Sequence, residues 1–291
     1  MPGIIDDIKN MYRTGNALIK LIFINTAIFV FFQLVYLVYV LANERFAFPI
    51  TRWMSMPSIP SELLTKPWTV ITYMFYHEEL LHFIFNILNL YWFGKIFLIY
   101  FNEKQMVSLY LLGGIVGGLT YFLFYNLFPT VFHPGILMGA SASIIAIMIA
   151  VAFYAPNFRI NLLFIGEVKL IYVGIFSIVL FIIMISSSNA GGNLAHLGGA
   201  FFGYLWATQY KRGGDFMAGF TRFQDSMFSV FKPSKLKITH KRPVDDFEYN
   251  KGKLMNQKEI DRILDKISKH GYDHLTKDEK DTLFRMSQKN N

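Results

Sequence analysis

The chain has no cysteine among its 291 residues. That excludes a disulfide framework, a thiol nucleophile, a cysteine-rich zinc site and haem attachment, and leaves the redox compartment unread. Charge is also scarce: Asp, Glu, Lys and Arg make up 16% of the residues, against roughly 25% in a soluble domain. Hydrophobic residues reach 53%, aromatics 17% and mean hydropathy +0.35. Disorder, a collagen helix and a coiled coil are therefore excluded. The charge present is unevenly placed. Residues 211–291 hold 18 Lys+Arg against 12 Asp+Glu, whereas residues 1–210 hold 10 against 8. The first two thirds reads as a membrane domain and the last third does not.

A helix needs about 20 apolar residues to cross a hydrocarbon core of ~30 Å. Six runs qualify as spans: Leu18–Leu41, Leu80–Tyr100, Val107–Phe128, Ser141–Tyr154, Val168–Ile185 and Asn193–Tyr210. The first is too long for the apolar region of a signal peptide, and no small-residue cleavage site follows it. The fourth would rise only ~20 Å as a helix. A short span can start below the membrane surface where its N-terminus lines a water-filled cavity.

Lys and Arg set the orientation. Lys9, Arg13 and Lys20 precede the first span, Lys95 and Lys104 flank the second connection, and Arg159 and Lys169 flank the fourth. The first connection also carries Arg45, Arg52 and Lys66, but four glutamates accompany them. Both termini are expected in the cytoplasm, with the start of span four near the outer face. The expected domains are a six-span membrane domain over 1–210 with a long first loop over 42–79, a basic linker over 211–256, and a cytoplasmic helical hairpin over 257–291. Ile260, Ile263, Leu264 and Ile267 give the hairpin's first helix its stripe, and His270-Gly271 stops it. Thr276-Lys-Asp-Glu279 is a capping box opening a second helix with Leu283 and Phe284. The tail's positive charge suits lipid headgroups or a solvated face. No nucleic-acid partner is expected, and no partner of the tail can be named.

Asp and Glu are absent from the span interiors, which disfavours an ion-coupled transporter. The polar groups left inside are His82, Asn86, Asn89, Ser141, Ser143, Ser177 and His196. His82 and Asn86 are one helical turn apart and share a face, which Asn89 extends. Hydrogen bonding between helices explains such a stripe as well as chemistry does. Ser141 follows Gly139-Ala140 at the start of span four. It can be an N-cap, a small packing residue, or a nucleophile beside free backbone N–H groups able to hold an oxyanion. Ser143 lies about 200° around the helix and points elsewhere. Ala142, Ala146 and Ala150 form one small-residue stripe; Ala195, Gly199, Gly203 and Ala207 form another. Packing these stripes together would bring Ser141 and His196 to one depth, where an imidazole can activate a hydroxyl. No intramembrane carboxylate exists to complete a triad. His77-Glu78-Glu79-Leu80-Leu81-His82 is not a zinc motif, because its histidines are five apart and about 140° off one face. No metal site is expected.

The pieces His82-Phe-Ile-Phe-Asn86, Gly139-Ala-Ser141 and Ala195-His196-Leu-Gly-Gly-Ala-Phe-Phe-Gly203, in that order on spans two, four and six, resemble the rhomboid family of intramembrane serine proteases. Trp68 and the Gly-rich run Leu111–Gly118 extend the likeness, and the tail resembles an extension seen after such cores in some bacteria. The resemblance implies an all-α polytopic fold, a six-helix bundle with a small soluble hairpin. It implies a Ser141–His196 catalytic dyad, an oxyanion hole from the Ser141 N–H with the His82 and Asn86 side chains, and transmembrane proteins as substrates. It further implies the lipid bilayer as surroundings, a bacterial inner membrane as location, and no cofactor. Three positions depart from the family pattern: Ala142 replaces a glycine, Thr69 an arginine, and Ile145 an aromatic residue that would stack on the base histidine. The alternatives are a non-catalytic rhomboid-like factor that escorts membrane clients, and an unrelated channel or transporter.

Overall fold

The computed structural model describes residues 3–42, 49–162, 165–187, 189–229 and 259–288. Helix α1 (Ile4–Thr14) precedes α2 (Ala17–Leu41). The described part of the first connection holds α3 (Pro49–Met54), strand β1 (Met56–Pro57), α4 (Pro60–Thr65), α5 (Thr69–Thr72) and a 3-10 turn over Tyr73–Phe75. Then come α6 (Leu80–Tyr100), α7 (Glu103–Leu127), β2 (Ile136–Leu137), α8 (Ser141–Tyr154), the hairpin of β3 (Arg159–Leu162) and β4 (Gly166–Lys169), α9 (Leu170–Ile183), α10 (Ala190–Lys211) and α11 (Ala218–Ser229). The tail adds α12 (259–270) and α13 (Lys277–Gln288). The fold is a mostly helical membrane bundle. α2, α6 and α7 are long and apolar enough to cross a membrane, and α8 and α9 are shorter apolar helices.

The six runs expected as spans coincide with α2, α6, α7, α8, α9 and α10, of which α10 is helical but not apolar enough to count as a candidate span. α7 starts at Glu103 rather than Val107, because Asn102 accepts from Gln105 N–H and Gln105 reaches back to Asn102 N–H, a capping box ahead of the apolar run. α9 starts two residues late, since Val168 and Lys169 pair with β3 as the end of β4.

α8 is the axis of the bundle. It is apolar on every side, and Ala142 to Ala152 are buried apart from Ile145. Glycines on both flanking helices make this possible. A Cβ on Gly113 or Gly117 of α7 would lie 2.4 or 2.7 Å from the Cβ of Ala146 or Ala142. On α10, a Cβ at Gly199 or Gly203 would lie 2.2 Å from the carbonyl oxygen of Ala142 or Ala146. Helices that have no burial gain over lipid associate through such close backbone approach.

The described part of the first connection is held together without an arginine at position 69. Trp68 stacks on Trp53 at 5.6 Å and its indole N–H donates to Trp53 O (3.0 Å), while Thr72 donates to Met54 O. Thr69 is buried, its hydroxyl donating to Lys66 O (2.7 Å). β1 pairs antiparallel with β2, Met56 opposite Leu137, and Ser58 N–H donates to Gly135 O (3.0 Å). The loop is thereby tied to the segment that leads into α8.

The chain divides into two compact units, Met1–Phe231 and Lys232–Asn291. The stretch expected as a linker from residue 211 is helical over α11, whose Thr221 and Gln224 hydrogen-bond Ser108 of α7. α11 therefore packs on the membrane bundle, and residues 230–258 lie outside the described ones. In the tail unit, Gly271 at φ +83° follows α12, and its N–H donates to Ile267 O (2.9 Å). Ile263 and Leu275 are buried, whereas Leu264 of the expected stripe is half exposed. The Thr276–Glu279 capping box forms, and Lys266 bonds both Glu279 oxygens. The side chains of Leu283 and Phe284 lie outside the described ones.

Candidate active site

Ser141 is the first residue of α8, so its backbone N–H belongs to the turn that has no intrahelical acceptor. Gly139, at φ +108°, turns the chain sharply into the helix and donates its N–H to Tyr73 O (2.8 Å). The Ser141 hydroxyl and His196 Nε2 are 2.6 Å apart. His196 sits in the second turn of α10, which Asn189 opens by accepting from Gly192 N–H (3.3 Å). Its other ring nitrogen, Nδ1, is buried and has no hydrogen-bond partner among the described residues. The pair thus has the geometry for proton transfer, with no third residue in line among the described ones.

These two groups line a cavity of about 950 Å³ that also takes in His82, Asn86 and Asn89 along one face of α6. Asn86 donates one amide hydrogen to His82 O (2.9 Å) and keeps a second for the cavity. Asn89 donates to Phe85 O. The wall from α9 is Val173, Ser177 and Phe181, one residue per turn. Ser143, by contrast, is fully buried beside Met74 and Gly114 and does not line the cavity.

The structure accounts for two of the three departures at the site. The Ala142 methyl points at Gly117 of α7 and is buried, so it packs between helices and does not narrow the approach to Ser141. Ile145 lines the cavity, and an aromatic ring reaches His196 from another helix: Phe181 lies 4.6 Å from it, centroid to centroid, at 54°. Sequence reasoning misses Phe181. It sits one turn beyond Ser177, a polar residue that does stand out in its span, and following that face of α9 would find it.

Sequence reasoning also misses His77, whose spacing from His82 rules out a zinc motif and suggests no other role. It is buried, and its Nε2 accepts from Ala140 N–H (3.2 Å), the peptide next to Ser141. Its ring meets His82 edge-on at 5.2 Å, and His82 in turn covers Gly139, where a Cβ would lie 2.6 Å from His82 Cε1. An accepting Nε2 requires the neutral ring with its proton on Nδ1. Burial above all, with the neighbouring His82, pushes the His77 pKa down to about 4, so it is neutral at pH 7. Among the described residues no group of three or more His, Asp or Glu side chains could hold a metal.

Fold and site together define a polytopic helical membrane protein with a serine–histidine pair in a cavity between its helices. The Rhomboid domain family matches residues 64–212, half of the chain, and the chain belongs to the rhomboid family. A family of unknown function (DUF6576) matches residues 244–289, in the tail. RHOMBOID-like protein 12, mitochondrial, of Arabidopsis thaliana is 29% identical over 158 residues, covering 50% of this chain and 47% of that protein. The chain thus spans about half the length of the curated relative it matches.

Proposed function

We propose that the protein is an intramembrane serine endopeptidase that cleaves transmembrane segments with a Ser141–His196 dyad. The observation that carries this reading is the 2.6 Å contact between Ser141 Oγ and His196 Nε2 inside a cavity lined by hydrogen-bond donors. Ser141 Oγ attacks a peptide carbonyl carbon while His196 Nε2 takes the hydroxyl proton. The electron pair displaced onto the carbonyl oxygen is held by the Ser141 N–H with the His82 and Asn86 side chains. Collapse of this intermediate breaks the C–N bond. His196 protonates the leaving amine, and the acyl group stays on Ser141. Water then attacks the ester, its proton passing to His196 and on to the Ser141 oxygen. No cofactor enters these steps.

A helical carbonyl is already engaged in its own backbone, so the substrate segment has to unwind locally to present one. The short α8 supports water entry from the side at which Ser141 lies. The distribution of Lys and Arg supports placing both termini on the cytoplasmic side, with Ser141 toward the outer face. Fusions of a reporter to either terminus test that topology.

The deciding experiment pairs the wild type with Ser141→Ala, co-expressed with a panel of single-span reporters, alongside a fluorophosphonate probe. Cleavage and labelling that both vanish in Ser141→Ala support the protease. An unlabelled wild type that binds reporters without cutting them would replace it with a non-catalytic escort factor.

A further inference from the structure

Helix α1 carries an apolar face that the described residues leave about half exposed. At 100° per residue, Ile8, Met11 and Tyr12 fall within an arc of about 100°, while Asp6, Lys9, Asn10 and Arg13 lie on the other side. Ile8, Met11 and Tyr12 are 47%, 55% and 46% exposed.

The elbow that follows fixes where this face goes. Gly15 N–H donates to Met11 O and ends α1, and Asn16 caps α2 by accepting from Ile19 N–H. A Cβ on Gly15 would lie 2.5 Å from Met11 O and 2.8 Å from Ile19 Cγ2, so the tightness of this bend depends on glycine. Ala17 N–H donates to Glu103 Oε2 (2.7 Å), which anchors the base of α2 to the start of α7. The rings of Tyr12 and Phe23 meet edge-on at 5.9 Å. Eleven residues of one continuous helix would hold them ~16 Å apart. The chain therefore bends sharply between the two helices, and the Tyr12 ring reaches the flank of α2 at Phe23. Along α2, Ile24, Val30 and Phe31 are likewise exposed, a surface that faces hydrocarbon in a membrane protein.

We propose that α1 is an in-plane membrane helix, with Ile8, Met11 and Tyr12 inserted at the boundary between lipid headgroups and acyl chains beside the start of α2, and its polar face in water. The occupant of this face is lipid, because the face is continuous with the lipid-facing flank of α2. Asp6 and Asp7 balance Lys9 and Arg13 within the helix, so insertion rests on apolar burial and not on headgroup charge. The inference is independent of the proteolytic reading.

The chain's lack of cysteine allows a direct test. Full-length Met11→Cys and Asn10→Cys proteins, each carrying a nitroxide, are reconstituted in phosphatidylcholine vesicles with and without phosphatidylglycerol. Collision rates with oxygen, which partitions into lipid, and with a water-soluble nickel chelate are then measured. The label at Met11 should show several-fold more oxygen relative to nickel than the label at Asn10, in both lipids. Equal nickel access at the two positions would put the face in water and overturn the proposal. Shielding of Met11 from both reagents would mean that protein covers it, and protection confined to phosphatidylglycerol would mean that charge drives the contact; either also overturns it. Ile8→Cys, one turn away on the same face, serves should Met11→Cys fail to fold.

Discussion

Removal of either member of the Ser141–His196 pair should abolish cleavage of a reporter span while leaving membrane insertion intact, because each is needed to generate the nucleophile. Ser143→Ala should keep activity, since Ser143 Oγ faces Met74 and not the cavity. Activity assays on purified variants check both outcomes. His82→Ala and Asn86→Ala should lower kcat more than they raise KM, as an oxyanion exists only in the transition state; each loss should stay below ~10³-fold. Variants changed only in KM would make these residues binding groups. His77 is placed one step further back, accepting from the Ala140 N–H beside Ser141. His77→Ala should lower kcat, and His77→Gln, whose carbonyl can still accept from Ala140 N–H, should restore part of it. The pH dependence has a definite sign. The folded pKa of about 4 lies below the ordinary 6.5, so the unfolded chain binds the extra proton first. The contribution of His77 to stability is complete above pH 6.5 and is lost as pH falls toward 4. A thermal-denaturation series on wild type and His77→Gln across that window should show the acid-side loss shrink in the variant. His77 could not be found from the sequence, because the peptide that it accepts from is 63 positions away. The proximity of Ser141 and His196 is legible in the sequence itself, because the small residues spaced by four beside each of them mark a close helix contact.

Helix contacts decide whether the dyad can form at all. Gly199 of α10 faces the Ala142 carbonyl, and a methyl there would lie 2.2 Å from that oxygen. Both groups belong to backbones held in long helices, so relief requires α10 to move away from α8. Gly199→Ala should therefore cost ~1–3 kcal/mol and most of the activity, although it touches neither Ser141 nor His196. Gly219→Ala on α11 is the control: nothing lies within 4 Å of the added Cβ, and helix propensity favours alanine by up to ~1 kcal/mol. Thermal shift and cleavage assays on the two variants should move in opposite directions for stability, with activity lost in only the first. The long apolar helices were legible to within a few residues, since burial in lipid demands unbroken hydrophobic runs. Short elements were not. β1 and β2 pair across about 80 residues, and a two-residue strand has no periodicity to read. β3 and β4 hid inside a connection whose charges speak only to topology. α11 hid in a basic stretch whose composition looks like a linker, although Met217 ahead of it is fully buried.

At the scale of the whole chain, the candidate chemistry belongs to one compact unit. Ser141, His196, His82, Asn86, His77 and Phe181 all fall within Met1–Phe231, and the tail forms the separate unit Lys232–Asn291. The tail has its own means of holding together: buried Ile263 and Leu275, the Thr276–Glu279 capping box, and the Lys266–Glu279 ion pair. Thr276→Ala should weaken α13 by ~1 kcal/mol. Lys266 first, then the Thr276 backbone, holds the Glu279 carboxyl down to about 2 from its ordinary 4.5. A lowered pKa means that this contribution is complete above pH 4.5 and is lost as pH falls toward 2. Hydrogen exchange in the first turn of α13 should report both effects, and neither should alter the rate of cleavage. The stronger test removes the tail. Deletion from Phe247 onward should leave a protein that cleaves a reporter span in detergent at a rate near that of the full chain. α11 has to stay in such a truncation, because Thr221 and Gln224 bond Ser108 of α7, the helix that carries Gly113 and Gly117 against α8. A second deletion starting at Ala218 should therefore lose stability and activity together. A monodisperse protein ending at residue 246 with no activity would mean that the tail contributes to the active conformation of the membrane unit, and the division of labour between the two units would fail.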